Sequence, residues 1–96
     1  MQTPEFLAHR SIVSVTGADA EAFLNSIVTV STSGMTPGDI RYGALLTPQG
    51  KVIADMLLTR AGDAILIDCA ASAAPALVKR LTMMKLRAAV AIEERS

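Results

Sequence analysis

Residues 42–58 read YGALLTPQGKVIADMLL, two apolar runs separated by the short segment TPQG. Pro48 and Gly50 take the second and fourth places of that segment, where a type I turn prefers them. The second run should therefore return antiparallel to the first as a β-hairpin. Because the turn is so short, the two strands must be neighbours in one sheet.

A helix is predicted soon after a β-branched strand at residues 12–15. Thr16 and Asp19 have the spacing of a capping box, which marks a helix N-terminus. The apolar residues that follow recur at intervals of three and four, as one face of a helix requires. They are Ala20, Phe23, Leu24, Ile27 and Val28. We expect this stripe to face the core.

A second helix is predicted near the end of the chain, with Ser72 as its cap and Pro75 in its first turn. Its apolar stripe has the same spacing. The stripe comprises Ala74, Leu77, Val78, Leu81 and Met84. The remaining strands are predicted at residues 42–46, 52–60, 64–69 and 88–92, the last as a buried strand.

The predicted order of elements is therefore β-α-β-β-β-α-β. The chain has 96 residues, enough for one hydrophobic core and too few for two, so we expect residues 1–96 to form a single domain. The order fits an α+β fold of the split β-α-β (ferredoxin-like) class. In it, two helices pack on one face of a mostly antiparallel sheet that has one added hairpin strand.

Charge and composition make several classes of partner unlikely on physical grounds. Nine basic and nine acidic residues give a net charge of zero, so nucleic-acid binding is not expected. The most apolar stretch is too short to cross a bilayer, and the N-terminus does not resemble a secretion signal. The single cysteine excludes an internal disulfide. We expect a cytoplasmic protein that does not associate with membranes.

Asp55 is the residue of the strand at 52–60 that needs an explanation. Strand alternation places Asp55 between Ile53 and Leu57 on one face, and the other face is also apolar. We therefore expect the strand to be buried on both faces, where an unpaired carboxylate costs several kcal/mol. Either Asp55 binds a ligand, or it is satisfied by protein hydrogen bonds or by water at a sheet edge. The residues alone leave both interpretations open.

The other reactive side chains favour structural roles. Cys69 is expected to be a buried, unreactive thiol, and His9 a solvated side chain. Met83 and Met84 could line an adaptable apolar surface, but at the end of an apolar stripe at least one of them is expected to fill the core. The basic residues of the second helix could bind phosphate or a carboxylate chain, but the favoured expectation is a solvated face; they are Lys79, Arg80, Lys85 and Arg87. We predict no catalytic residue and no metal site.

Three segments together resemble a known family. They read VTGADAEAFLNSIVT, YGALLTPQGKVIADMLLTRAGDAILIDC and LVKRLTMMKLRAAVAIEE. In this order and spacing they are similar to the N-terminal part of the YgfZ-type folate-binding proteins. Those proteins are relatives of the aminomethyltransferase (T-protein) of the glycine cleavage system. The resemblance runs from Ile12 to Glu94 and implies the N-terminal fragment of the aminomethyltransferase/folate-binding fold.

The hairpin favours the YgfZ type over the aminomethyltransferase branch. That branch usually carries two glycines and two adjacent acids here, where this chain has Gly50-Lys51 and Ala54-Asp55. The YgfZ type is taken to support iron-sulfur protein assembly and repair in a folate-dependent way. In the aminomethyltransferase branch an acid on this strand lies close to the pterin. The resemblance therefore implies that Asp55 is a tetrahydrofolate-binding residue.

Two departures from the family pattern accompany the resemblance. The chain ends before the Lys-Gly-Cys-Tyr-x-Gly-Gln-Glu motif of the YgfZ type, so Cys69 is not the cysteine of that motif. After the first helix, Thr29 is followed by Val30 and Ser31, where the family often has Thr-Asn-Asp-Val. We therefore expect the chain to be an N-terminal folding unit that lacks the C-terminal part of the same protein.

The expected partners are folate, that C-terminal part and a second copy of the chain in a homo-oligomer. The 96 residues alone are expected to bind tetrahydrofolate weakly or not at all, and to lack enzymatic turnover, because the cavity needs groups from further elements. Two alternatives stay open. One is one-carbon transfer to tetrahydrofolate by a T-protein-like aminomethyltransferase, and the other is a bare interaction module that dimerises.

Overall fold

A computed structural model of the protein describes residues 10–95. It contains five strands and two helices in the predicted order. They are β1 (Arg10–Thr16), α1 (Ala20–Ile27), β2 (Ile40–Leu46), β3 (Val52–Ala61), β4 (Ala64–Ala70), α2 (Ala74–Met84) and β5 (Ala91–Arg95). No helix within these residues is both long enough and apolar enough to span a membrane.

The five strands form one sheet in the order β2-β3-β4-β1-β5. Every neighbouring pair is antiparallel. β1 lies between β4 and β5, as the split β-α-β fold requires, and β2 is the added strand at one edge. The predicted hairpin turn is present, because the Gly50 N–H donates to the Thr47 carbonyl over 2.9 Å. The predicted α+β fold class is confirmed.

The hydrophobic core lies between the helices and one face of the sheet. Eight strand residues on this face are at most 1% exposed; they are Val13, Val15, Leu45, Met56, Leu58, Ile65, Ile67 and Cys69. Ala20, Phe23 and Leu24 cover them from α1, and Ala74, Leu77 and Leu81 cover them from α2. Burial of this apolar surface is the main stabilising term of the fold.

The opposite face of the sheet is left uncovered by residues 10–95, and we call it the open face. It carries Ile12, Ile40, Tyr42, Asp55, Leu57, Leu66 and Asp68. Ile40 and Tyr42 are 66% and 64% exposed, and Asp55 is exposed beside them. The expectation that β3 is buried on both faces is therefore wrong for the described residues. Helices cover only one side of this sheet.

A β-bulge interrupts the pairing of β2 with β3. Leu45 pairs with Ala54 and Leu46 pairs with Val52, so Ile53 is the extra residue between them. The bulge takes Ile53 out of strict alternation, and its side chain packs against the core. As a result, every pair from Leu45–Ala54 to Ile40–Thr59 is one residue further along β3 than the Leu46–Val52 pair would predict.

The predicted helix caps are wrong. Thr16, the N-cap of the predicted capping box, is the last residue of β1. Asp19 is the N-cap residue of α1 and makes no side-chain capping bond. Its Oδ2 instead accepts a hydrogen bond from the Ala89 N–H over 2.7 Å, and the side chain is therefore engaged in a tertiary contact. Ala73 rather than Ser72 is the N-cap residue of α2, also without a side-chain bond.

The C-terminal elements also differ from the prediction. The last strand was predicted at residues 88–92 as a buried strand, but β5 begins at Ala91 and is a mostly exposed edge strand. Residues 85–90 form a hydrogen-bonded connection instead, in which the Ala88 N–H donates to the Lys85 carbonyl over 2.7 Å. Met83 and Met84 are 58% and 38% exposed, so their predicted place in the core is wrong. Both lie at the end of α2, after Leu81, which is the last buried residue of the helix.

Candidate functional site

Asp55 lies near the middle of β3 on the open face, directly opposite Ala44 of β2. Its Oδ2 accepts a hydrogen bond from the Tyr42 hydroxyl over 2.9 Å. Tyr42 pairs with Leu57 in the hairpin register, so it is the diagonal neighbour of Asp55. Diagonal neighbours on one sheet face are within reach of a long aromatic side chain.

The Asp55 carboxylate favours the protonated form of the Tyr42 hydroxyl. Hydrogen bonding to the carboxylate, together with its negative charge, raises the pKa of Tyr42 above the ordinary value. Tyr42 is therefore a neutral hydroxyl near pH 7 and acts as a hydrogen-bond donor. No second donor from residues 10–95 bonds to Asp55. The remaining acceptor positions of the carboxylate can bind an N–H group of a ligand.

Leu57 and an ion pair between Arg10 and Asp68 lie on the same side of the sheet as this carboxylate. Leu57 lies between Tyr42 of β2 and Asp68 of β4 in the sheet register. Asp68 accepts hydrogen bonds from Arg10, Nε to Oδ1 over 2.9 Å and Nη2 to the backbone carbonyl over 3.0 Å. Both side chains are partly exposed, so the pair contributes at most about 1 kcal/mol. The open face thus offers an apolar surface next to fixed carboxylates, which suits a flat ring with polar edges.

The other residues considered from the sequence lie away from the open face or outside the described part of the chain. Cys69 is fully buried on the helix side of the sheet, and burial raises the pKa of its thiol. The predicted burial of Cys69 is confirmed, and its lack of reactivity stays a prediction. His9 lies outside the described residues. Within residues 10–95, no three His, Cys, Asp or Glu side chains group together in a way that could hold a metal ion.

The basic residues of the second helix do not join the open face. Lys79 and Arg87 are exposed, as predicted, whereas Arg80 and Lys85 are half-buried. The Lys85 ammonium donates to the Val90 carbonyl over 3.4 Å, which ties the end of α2 to the connection before β5. Lys79 and Arg80 line a groove between α2 and the start of β3.

Tyr42 is the site residue that sequence reasoning missed. Continuing the Leu46–Val52 register along the hairpin would place Tyr42 opposite Met56, which faces the helices. The bulge at Ile53 instead puts Tyr42 opposite Leu57, on the same face as Asp55. One sequence feature could have drawn attention to Tyr42: it is the single aromatic residue of the hairpin. Its face could not be assigned without the bulge.

Comparisons with known proteins identify the family. The profile described as the GCVT N-terminal domain matches residues 7–96. The aminomethyltransferase of Bacillus subtilis (strain 168) is 33% identical over 57 residues, which cover 59% of this chain and 16% of that protein. The mitochondrial iron-sulfur cluster assembly factor IBA57 homolog of Chaetomium globosum is 31% identical over 104 residues, which cover 85% of this chain and 23% of that protein.

The fold has a counterpart among solved structures. The crystal structure of glycine cleavage system aminomethyltransferase T from Bartonella henselae superimposes with a TM-score of 0.82 and 24% sequence identity. The match covers 90% of this chain and 24% of that one. The chain thus spans a quarter or less of the length of these relatives. Since the family profile matches nearly all of the sequence, the chain belongs to the family of the GCVT N-terminal domain, with homologues among the aminomethyltransferases and the IBA57 (YgfZ-type) proteins.

Proposed function

We propose that this chain is the tetrahydrofolate-binding N-terminal part of a YgfZ-type protein that supports the assembly and repair of iron-sulfur proteins. We choose the YgfZ type over the aminomethyltransferase branch because of how much of the chain each similarity covers. Similarity to the iron-sulfur cluster assembly factor IBA57 homolog extends over 85% of the chain, and similarity to the Bacillus subtilis aminomethyltransferase over 59%. The hairpin supports the same choice, because it has Ala54 where the aminomethyltransferase branch usually has a second acid.

Asp55 is the proposed folate-binding residue. Its carboxylate is exposed on an apolar surface and is oriented by the Tyr42 hydroxyl. In this proposal, ring N–H groups of the pterin donate to Asp55, and the ring packs over Leu57. Each hydrogen bond to a charged acceptor contributes roughly 1.5–3 kcal/mol. One surface of this size encloses only part of a folate molecule, so the affinity of the chain by itself is low.

A T-protein-like aminomethyltransferase is the second candidate. It is favoured by the similarity to aminomethyltransferases and by the fold shared with the Bartonella henselae protein. Such an enzyme would transfer a one-carbon unit to tetrahydrofolate. The chain would then contribute the folate-binding surface, and other parts of the enzyme would supply the reacting groups.

Deleting the gene in its source organism separates the two candidates. The proposed function predicts reduced activity of enzymes that contain [4Fe–4S] clusters and normal growth on glycine as the nitrogen source. A wild-type copy should restore the cluster enzymes, an Asp55→Asn copy should not, and an Asp63→Asn copy should. Asp63 is an exposed carboxylate in the β3–β4 turn, so its replacement removes the same charge elsewhere. Normal cluster enzymes with lost growth on glycine would favour the second candidate. The cytoplasmic location stays a prediction, which fractionation of cells would check.

A further inference from the structure

A groove on the helix side of the molecule is separate from the open face. It has a volume of about 270 Å³ and lies between α2 and the start of β3. Its lining residues come from the hairpin turn, the bulge and one side of α2. They are Thr47, Ile53, Ala76, Lys79, Arg80 and Met83. We call it the α2 groove.

The floor of the α2 groove is apolar because of the β-bulge. Ile53 is the extra residue of the bulge, and its half-buried side chain lies beside α2 at the margin of the core. Ala76 and Met83 continue the apolar surface along the helix. Met83 is 58% exposed, so much of its side chain is accessible to another molecule. The groove can therefore accept an apolar side chain from outside.

The rim of the groove is positively charged. Residues 69–92 contain four basic residues and no acidic one, although the whole chain is neutral. Lys79 and Arg80 make no ion pair with any residue from 10 to 95. The helix dipole does not explain them, since neither lies in the last turn of α2. These two cations are available to carboxylates of another molecule.

Leu86, three residues after Met83 in the sequence, is a further exposed apolar residue at this end of the chain's second helix. It lies two residues beyond the end of α2 and has a left-handed φ of 44°, which favours glycine. Its side chain is 85% exposed. A leucine in this conformation costs about 1–2 kcal/mol and gains almost nothing from burial. Strained and exposed apolar residues of this kind occur at binding surfaces.

We infer that the α2 groove docks an acidic segment of a partner protein in which an apolar side chain lies between carboxylates. The apolar side chain packs on Ile53 and Met83, and the carboxylates pair with Lys79 and Arg80. The groove is concave, so it fits a protruding side chain better than a flat lipid surface. Nucleic acid would satisfy the two cations but would leave the apolar floor without an apolar partner. Methionine adapts to side chains of different shape, which suits a docking surface.

A labelled synthetic peptide tests this inference on the 96-residue chain. The probe is a blocked peptide that repeats Glu-Glu-Leu, and fluorescence anisotropy measures its affinity. We expect binding that weakens roughly fivefold or more with Arg80→Glu and with Met83→Ser. Two matched controls, Arg95→Glu and Ile40→Ser, should leave the affinity unchanged. Like the groove variants, they replace an arginine by glutamate and an apolar side chain by serine, but at exposed positions outside the groove. A peptide that repeats Glu-Glu-Ser should bind more weakly than the leucine peptide.

Several results would overturn the inference. One is a leucine peptide that does not bind, or that binds all four variants as tightly as wild type. Another is Arg80-dependent binding of phosphatidylserine vesicles or a single-stranded oligodeoxynucleotide without binding of the peptide, which would assign the surface to lipid or nucleic acid. A third is self-association of the chain that Arg80→Glu abolishes, which would make a second copy the occupant. None of these results depends on folate binding.

Discussion

At the residue scale, Gly17 is required by a close approach of two backbone segments. Its φ is +118°, and a Cβ atom at this position would collide with the carbonyl oxygen of Ala89. The Asp19 N–H donates to that same carbonyl over 3.2 Å, which holds the start of α1 against the connection before β5. The contact joins parts of the chain that are about seventy residues apart in sequence.

Replacing Gly17 should therefore destabilise the fold more than its backbone angle alone explains. We expect Gly17→Ala to lower the free energy of unfolding by at least about 3 kcal/mol. Gly38→Ala is the control, because Gly38 has a φ of +94° and open space around it. It should cost only about 1–2 kcal/mol. Urea unfolding of the three proteins checks this, and equal losses for the two variants would contradict the steric explanation.

At Leu86, in contrast to Gly17, a substitution should stabilise the fold. Leu86→Gly should raise the free energy of unfolding by roughly 0.5–1 kcal/mol, because relief of the left-handed strain exceeds the added freedom of glycine in the unfolded chain. Leu86→Ala removes the same exposed side chain but keeps the Cβ atom, so its stability should equal that of wild type. The urea midpoints of both variants measure the difference. A matching gain in Leu86→Ala would show that the backbone angle is not the cause.

A pH titration of Tyr42 tests its contact with Asp55 directly. The chain has one tyrosine and no tryptophan, so ultraviolet absorbance reports Tyr42 alone. Asp55 raises the pKa of Tyr42, and Asp55→Asn should lower it toward the ordinary value, whereas Asp63→Asn should not. The pKa is higher in the folded state, so this contribution to stability is complete below the unfolded pKa. It is lost as the pH rises through the folded pKa. Identical titration curves for wild type and Asp55→Asn would refute the hydrogen bond.

At the element scale, the hairpin was predictable and its bulge was not. Pro48 and Gly50 fix the turn, so the antiparallel pairing of β2 with β3 follows from local chemistry. Ile53 is as apolar as its neighbours, so hydrophobic periodicity cannot show which residue is unpaired. The presence of Asp55 on a strand was therefore predicted correctly. Its exposure and its contact with Tyr42 depend on the register and could not be predicted.

In the helices, too, features set by local sequence were predictable, and features set by tertiary contacts were not. The apolar stripe of α1 predicted the burial of Phe23 and Leu24, because spacing alone determines a helix face. The predicted capping box failed because Thr16 is part of β1 and the Asp19 carboxylate accepts a hydrogen bond from Ala89, and no local pattern reveals that partner. The start of β5 was misplaced for a similar reason: the run AAVAI is apolar in both the connection and the strand.

At the scale of the whole molecule, the one-sided packing of the sheet predicts weak self-association. Five strands of about seven residues present roughly 500 Å² on the open face, so two copies would bury roughly 1,000 Å², near the lower limit for a specific interface. We expect a concentration-dependent dimer by sedimentation, weakened by Ile40→Ser and unaffected by Met83→Ser. Both changes remove an exposed apolar side chain, but only Ile40 lies on the open face. A strictly monomeric profile up to about millimolar concentration would contradict this expectation.

The role assigned to Asp55 also predicts how little the fold depends on it. Asp55 is exposed and has Tyr42 as its hydrogen-bond donor, and an asparagine oxygen can accept the same bond. Asp55→Asn should therefore change the free energy of unfolding by less than about 1 kcal/mol. A lower urea midpoint with an unchanged slope would show a structural role for the carboxylate instead.

The most direct test of tetrahydrofolate binding by Asp55 is a titration of the chain with tetrahydrofolate that is monitored by two-dimensional amide NMR. This method detects weak binding and locates it. If Asp55 binds the pterin, the chemical-shift changes should be concentrated in β2 and β3 around Tyr42, Asp55 and Leu57. These changes should be largely lost in Asp55→Asn and retained in Asp63→Asn. Shift changes of equal size in Asp55→Asn, or none in the wild-type chain at the highest folate concentration, would contradict the claim that Asp55 binds tetrahydrofolate.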